Sequence, residues 1–352
     1  MPFHILVVNP GSTSTKMAFY LDGEPQAVQT LRHDAAALRQ FSAVWDQLGF
    51  RLEAIRAWAG EQGVRPDAVS GMGGLLRPVR GGTYGVNTPM LDDARRGVQG
   101  EHPSNLGCAI ADALAREYGC DAYVVDPVSV DEFEPLARFS GCPQIERRSL
   151  AHALNIHAAA RRAALESGLD PASSAFVIAH LGGGISIAPV RGGRIIDVND
   201  ASSDGPFSPE RTGGLPLQPF ITLSRGKTEA ELRRMVMGEG GLTAYLGENS
   251  AVEVERRIAE GDSRAREVYE AMAYQIAKEI GAMATVLCGA VDRIVLTGGL
   301  AASAMLTGWI RERVRSIAPV VVYPGEDEMA ALAGGPLRVL RGEDTPLVYG
   351  EP

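Results

Sequence analysis

Three turns in this chain carry residue types suited to holding phosphate. Asn9-Pro10-Gly11-Ser12-Thr13-Ser14-Thr15-Lys16 follows the apolar run 5–8, His180-Leu181-Gly182-Gly183-Gly184 follows 175–179, and Thr297-Gly298-Gly299 follows 293–296. Phosphate oxygens require many donors and little steric bulk. Glycine lets a backbone approach, hydroxyls donate, and the N-terminus of a following helix adds unpaired N–H groups. Lys16 stands out further, because the only lysines are Lys16, Lys227 and Lys278. Singly, each turn reads as an ordinary tight turn and Lys16 as a solvated hairpin lysine. Jointly they point to a phosphate or nucleotide binder. The pattern Gly-x-x-x-x-Gly-Lys-Ser/Thr is missing, and no Gly-x-Gly-x-x-Gly follows the first apolar run, which excludes a P-loop and a dinucleotide fold.

Strands and helices must position these turns. Runs 5–8 and 17–21, closed by Asp22-Gly23, read as a β-hairpin entry. The same order recurs over 175–179, 185–190, the turn Gly192-Gly193 and 194–198, so a duplicated fold is expected. Helical periodicity spans 34–58, 104–118 and 149–166, the last closed by Gly168. Thr228 with Glu231, and Ser250 with Glu253, fit capping boxes. Residues 262–287 read as one long helix, and 320–323 as a last strand before a helix over 328–340. Each half is therefore mixed α/β.

A length of 352 residues exceeds the ~250 to 300 at which one core stops growing, so two domains are expected. Hydrophobic residues at 45% and charged residues at 22% suffice for packed cores and argue against disorder. The run 5–8 is too short for a signal peptide or membrane span and has no basic leader, which predicts a cytoplasmic chain. Cys108, Cys120, Cys142 and Cys288 are scattered, so they read as free thiols, not as a disulfide framework or zinc site. A net charge of −9 repels nucleic acid and anionic lipid, and any phosphate site must be built locally.

The opening segment, residues 5–16, resembles the signature of the acetate and butyrate kinases, the acetokinase family. Its Asn-Pro and Ser-Thr-Ser-Thr-Lys are similar to the short-chain and branched-chain fatty acid kinase branch that holds the butyrate kinases. The resemblance runs along the chain through Gly81-Gly82-Thr83-Tyr84, His102-Pro103-Ser104-Asn105-Leu106-Gly107, Val125-Asp126-Pro127, Arg147 to Asn155, His180 to Gly184, Asp204 to Arg211, Gly238 to Leu242 and Thr297-Gly298-Gly299. It implies two ribonuclease-H-like domains, as in actin, Hsp70 and sugar kinases, with ATP in an interdomain cleft. The expected division is 1–149, joined by 329–352, for acyl and phosphate groups, and 150–328 for nucleotide.

The resemblance also implies roles at matching positions. Asn9, Ser12, Ser14 and Lys16 face the transferring phosphate and its Mg²⁺. Asp126 and Glu328 attend the metal with Asn9, although neighbouring Glu326 or Asp327 could take the place of Glu328. His152 and Arg211 steady the phosphoryl group in flight. His180, Gly182, Gly183 and Gly184 form a second phosphate loop, and Gly298 and Gly299 flank adenosine. His102 lies beside the acyl pocket or, equally, caps the helix that follows. Leu75, Leu76 and Pro209 offer an apolar wall that cannot rank acetate, propionate, butyrate and isobutyrate.

One position departs from the family pattern. Met72 precedes Gly73-Gly74-Leu75-Leu76 where the family has an arginine for the substrate carboxylate, so Arg77, close by in sequence, is expected to replace it; Arg80 of the same loop, weak binding of the acid, or another acyl acceptor are the alternatives. The implied reaction is reversible in-line transfer from MgATP to a short-chain or branched-chain fatty acid, giving an acyl phosphate and ADP. A carboxylate with a pKa of about 4 to 5 needs no general base at neutral pH. Rival readings are an acetate or propionate kinase, a sugar kinase, and an actin- or Hsp70-like ATPase. The resemblance further implies a homodimer or larger homo-oligomer.

Overall fold

The structure is a computed structural model and describes residues 2–325 and 327–351. The chain divides into two compact units, Met1–Asp131 with Asp327–Pro352, and Glu132–Glu326.

The first unit opens with β1 (His4–Pro10), β2 (Ser14–Leu21) and β3 (Glu24–Arg32), an antiparallel meander. Helix α1 (Leu48–Gln62) leads to β4 (Ala68–Met72) and β5 (Thr83–Gly85), and α2 (Leu106–Tyr118) to β6 (Asp121–Val125). β4 pairs in parallel with both β1 and β6. The complete order, starting from the short strand Leu347–Val348, is then β5, β6, β4, β1, β2, β3. Leu6, Val8, Met17, Phe19 and Val69 point to one face, where they meet Leu52 and Ile55 of α1 and Leu106 and Ile110 of α2. Alternation along a strand sends the intervening residues to the other face.

The helix expected over 34–58 is interrupted. It becomes a single turn, Ala35–Leu38, a 3-10 turn, Val44–Gln47, and then α1. Asp46 is the physical reason. Its carboxylate accepts from the Ser42 hydroxyl at 2.8 Å and the Ala43 N–H at 3.1 Å, a local alternative to continuing the helix.

In the second unit, α3 (Ala153–Glu166) precedes β7 (Ala175–Leu181), β8 (Ile185–Arg191) and β9 (Arg194–Ile195). α4 (Ser263–Val286), β10 (Arg293–Gly298), α5 (Ala304–Val314) and β11 (Val320–Pro324) complete it. The sheet order is β9-β8-β7-β10-β11, with β10 parallel to β7 and β11. Val177, Ala179, Leu181, Ile294 and Leu296 pack on α4 and α5. Asp262 caps α4 by accepting from the Ala265 N–H at 2.9 Å. The Thr228 and Glu231 box closes in both directions, whereas the Ser250 hydroxyl accepts from the Glu253 N–H alone.

The chain finally returns to the first unit through α6 (Glu328–Leu340), which lies against β1, β4 and β6. Among the described residues no helix is long and apolar enough to cross a membrane.

Candidate active site

In the first unit the site begins at the C-terminal ends of β1, β4 and β6, the edge where open α/β sheets receive ligands. Asn9 and Lys16 are directly paired residues of β1 and β2, so their side chains share a face. Asn9 Nδ2 donates to Glu328 Oε2 at 2.9 Å, which joins two expected site residues 319 positions apart. Ser14 and Lys16 are half-buried, Ser12 is exposed, and all three lie on or beside the β1–β2 turn. Asp126 follows β6 in a left-handed conformation, φ 39°, rare for a residue with a Cβ. Its Oδ1 accepts from the Gly82 N–H at 2.7 Å and its own N–H donates to Gly82 O at 3.0 Å. Strain held by such reciprocal bonds is a mark of functional positions.

Glycine lets the neighbouring motifs interlock. A Cβ on Gly71 would strike the carbonyl of Gly107, one on Gly107 the carbonyl of Met72, one on Gly73 the ring of Pro127, and one on Gly74 the backbone of Asn105. These contacts bind the segments around Met72, His102 and Asp126 into one assembly. His102 serves as a cap: its Nδ1 accepts from the Ser104 N–H at 3.2 Å and lies 2.7 Å from the Ser104 hydroxyl. Leu76 is fully buried in a core with Tyr84, Met90 and Val124, so it backs the loop, while Leu75 is half-exposed.

The two arginines after Met72 differ. Arg77 grips Asp93 with Nε to Oδ2 at 2.8 Å and Nη2 to Oδ1 at 3.0 Å. Burial alone would raise the Asp93 pKa, but hydrogen bonds from Arg77, Tyr349 and Arg96 outweigh it and hold the carboxyl below its usual range. Arg80 is exposed and pairs with no carboxylate among the described residues. Asp93 and Tyr349 had no signal in the sequence, because their meeting is set by tertiary packing.

In the second unit a row of polar groups crosses the sheet opposite the α4 and α5 face. His180 of β7 is flanked by Ser186 of β8 and Thr297 of β10, its direct register partners. His152, at the N-terminus of α3, stacks on His180 with ring centroids 4.1 Å apart and 24° between planes. His152 Nδ1 lies 3.1 Å from Ser186 Oγ. Ser186 was legible in principle, as the one polar residue inside the apolar stretch 185–190.

Arg211 reaches the turn between β7 and β8 from its own loop. Its Nη1 donates to Ala201 O at 3.1 Å, and a Cβ on Gly184 would approach that nitrogen to 2.5 Å. A side chain at position 184 would thus displace the guanidinium beside it. Ser208 ties the same loop down through its hydroxyl to Gly183 O at 2.6 Å, and Gly182 N–H donates to Gly184 O. Pro209 is buried, its carbonyl accepting from Thr243. Gly298, φ 92°, abuts the Leu181 backbone and exchanges two hydrogen bonds with Gly325, whereas Gly299 faces open space.

Mg²⁺ favours hard oxygen ligands and usually takes one or two carboxylates, with water and phosphate completing its shell. Asp126 and Glu328 with the Asn9 amide fit that donor set. Among the described residues no three His, Cys, Asp or Glu side chains are grouped to hold a metal unaided. Glu326 lies outside the described residues.

Together these features define an α/β phosphate-binding protein whose strand ends present hydroxyls, glycine turns, a histidine stack and an arginine. The chain is 52% identical, over 99% of its length and 100% of the relative's, to a probable butyrate kinase 2 of Caldanaerobacter subterraneus subsp. tengcongensis. It is 47% identical to butyrate kinase 2 of Clostridium acetobutylicum over the same shares of both chains. The Acetokinase family model matches residues 147–318. The chain belongs to the acetokinase family. Its fold is that of the crystal structure of Porphyromonas gingivalis acetate kinase, with a TM-score of 0.77 at 18% identity over 96% of this chain and 100% of that one.

Proposed function

We propose that this chain transfers the γ-phosphoryl group of MgATP to the carboxylate of butyrate or a related short-chain or branched-chain acid, reversibly, giving an acyl phosphate and ADP. The observation that carries this reading is Arg211 lodged against Gly184. There a planar cation stands beside a turn stripped of side chains, suited to the charge that spreads over a phosphoryl group's equatorial oxygens. Such an arginine is worth about 10³ to 10⁵ in rate in other phosphoryl-transfer enzymes. A substrate carboxylate oxygen bonds to the γ-phosphorus as the bond to the β–γ bridging oxygen breaks, and that electron pair leaves on ADP. No proton moves, so positioning and charge screening carry the catalysis.

The second unit supplies Arg211, His152 and the His180–Gly184 loop for the phosphoryl group, and Gly298 and Gly299 for adenosine. The first supplies Asn9, Ser12, Ser14 and Lys16 as donors, with Asp126 and Glu328 as ligands for a Mg²⁺ that would neutralise phosphate charge. Leu75 of the first unit remains the proposed apolar contact for the alkyl chain. For the carboxylate contact that Met72 cannot make, Arg80 replaces Arg77, because Arg77 is already answered by Asp93. A cytoplasmic, homo-oligomeric enzyme completes the proposal.

An acyl-hydroxamate assay with MgATP, run across two- to five-carbon acids and sugars, tests the reaction. Butyrate or a branched relative should give the highest kcat/KM, and Arg211→Ala should lower kcat by ~10³ or more. No hydroxamate from any acid, with ADP released only when a sugar is present, would remove the assignment. Arg80→Ala should raise the KM for butyrate by roughly 10-fold or more, the scale of one charged hydrogen bond, while Arg77→Ala should raise it less.

A further inference from the structure

Arg51 of α1 is 0% exposed, and the phosphate reading gives it no role. Its four hydrogen bonds all end on neutral oxygens. Nε and Nη2 donate to Gln47 Oε1 at 3.1 and 2.9 Å, and Nη1 donates to Ser14 O at 3.0 Å and to Thr15 Oγ1 at 2.9 Å. No carboxylate among the described residues answers its charge. Burial lowers its pKa, yet a guanidinium stays protonated at neutral pH. A fully buried cation without a counter-ion is costly, and an apolar side chain of the same volume would normally serve stability better.

The charge sits behind the first phosphate turn. Thr15 points to the α1 face of the sheet, and alternation sends Ser14 and Lys16 to the other, the face of Asn9. Arg51 therefore grips the strand from the rear and leaves the donors of the turn unobstructed. Thr15 Oγ1 also lies 2.8 Å from His33 Nε2. Since Arg51 donates to that hydroxyl, the hydroxyl's own proton is free to go to Nε2, which must then be unprotonated. Burial, and then the Arg51 charge, lower the His33 pKa and favour this neutral ring.

We propose that Arg51 is a positioning residue for the Ser12–Lys16 turn, fixing Ser14 and Thr15 from behind and directing its unanswered charge at the terminal phosphate the turn receives. The inference rests on the phosphate reading of that turn. In a low-dielectric interior such a charge reaches further than it would at the surface, and the only neutralising partner it would gain is the anionic ligand itself.

Titration calorimetry on the full chain tests it, with a non-hydrolysable MgATP analogue and with MgADP, which lacks the terminal phosphate. Arg51→Met should weaken the ATP analogue by about 10- to 100-fold, the scale of one charged hydrogen bond, and leave MgADP unchanged. Arg51→Lys, which keeps the charge, should recover part of the loss. A folded Arg51→Met that binds both nucleotides like the wild type overturns the proposal, as does one that loses both equally, the mark of a merely structural role. If Arg51→Met does not fold, Thr15→Val removes the hydroxyl Arg51 holds and must show the same selective loss. The two readings fail separately: a wild type that binds both nucleotides but makes no acyl phosphate overturns the reaction, not Arg51.

Discussion

At the scale of single residues, adjacent glycines of one turn carry different duties. Nothing stands within 4 Å of a Cβ built on Gly183, whereas one on Gly184 meets the Arg211 guanidinium. Gly183→Ala therefore keeps Arg211 in place and adds bulk only in the open space proposed for nucleotide. It should raise the KM for MgATP and spare most of kcat. Gly184→Ala pushes the cation away and should cut kcat by at least ~10-fold, a fraction of what complete loss of such an arginine costs. Steady-state kinetics separate the two, and equal effects on kcat would show that the guanidinium does not act from the position it occupies. The sequence displayed the glycines plainly, because tight turns after apolar runs are local. It could not display their reason, since Arg211 lies 27 residues further on and reaches Gly184 only through tertiary structure.

At the scale of elements, repeated strand–turn units were the clearest part of the chain. β1–β2 and β7–β8 are both antiparallel pairs joined by turns rich in hydroxyls or glycine, and each has a parallel neighbour on its outer side, β4 and β10. Short continuous apolar runs bounded by turn residues mark such buried strands. Helix starts were less legible where side chains compete with the backbone, as Asp46 does before α1. The start of α2 shows how His102 bears on the site through an element. The capping turn it closes carries Asn105, whose Oδ1 accepts from the Leu75 N–H at 2.8 Å and so holds the proposed acyl loop. Loss of a side-chain cap typically costs ~1 kcal/mol. His102→Ala should lose about that much in urea unfolding, and His102→Asn, which keeps a short acceptor, noticeably less. A KM for butyrate that follows stability across the pair, high in Ala and near normal in Asn, identifies capping as the role of His102. A KM equally high in both would identify the ring itself as a substrate contact.

At the scale of the whole molecule, the first unit is assembled from the two ends of the chain and the second from one uninterrupted stretch. α6 gives the first unit Met329, Leu332 and Leu337, all buried, and the Leu332 carbonyl accepts from the buried Ser70 hydroxyl at 2.7 Å. Gly335 packs so closely on β5 and β6 that a Cβ there would strike Val125 and crowd Thr83. Fully burying side chains of this size is worth about 1.5 to 3 kcal/mol each. Three of them rival the ~5 to 15 kcal/mol that holds an entire domain folded. A chain ending at residue 325 should therefore lose the cooperative fold of its first unit, together with Glu328, the partner of Asn9. The second unit keeps its own core of β7, β8, β10, α4 and α5 and should stay folded. Hydrogen exchange read by mass spectrometry distinguishes the halves: amides of β1, β4 and β6 should exchange freely in the truncated chain, while those of β7 and β10 remain protected. Protection retained in β1 and β4 would mean that the meander, α1 and α2 suffice as a core, and that α6 serves mainly to deliver Glu328. Either outcome follows from how much apolar surface one helix covers, which the apolar residues of 328–340 suggest and only the packed sheet measures.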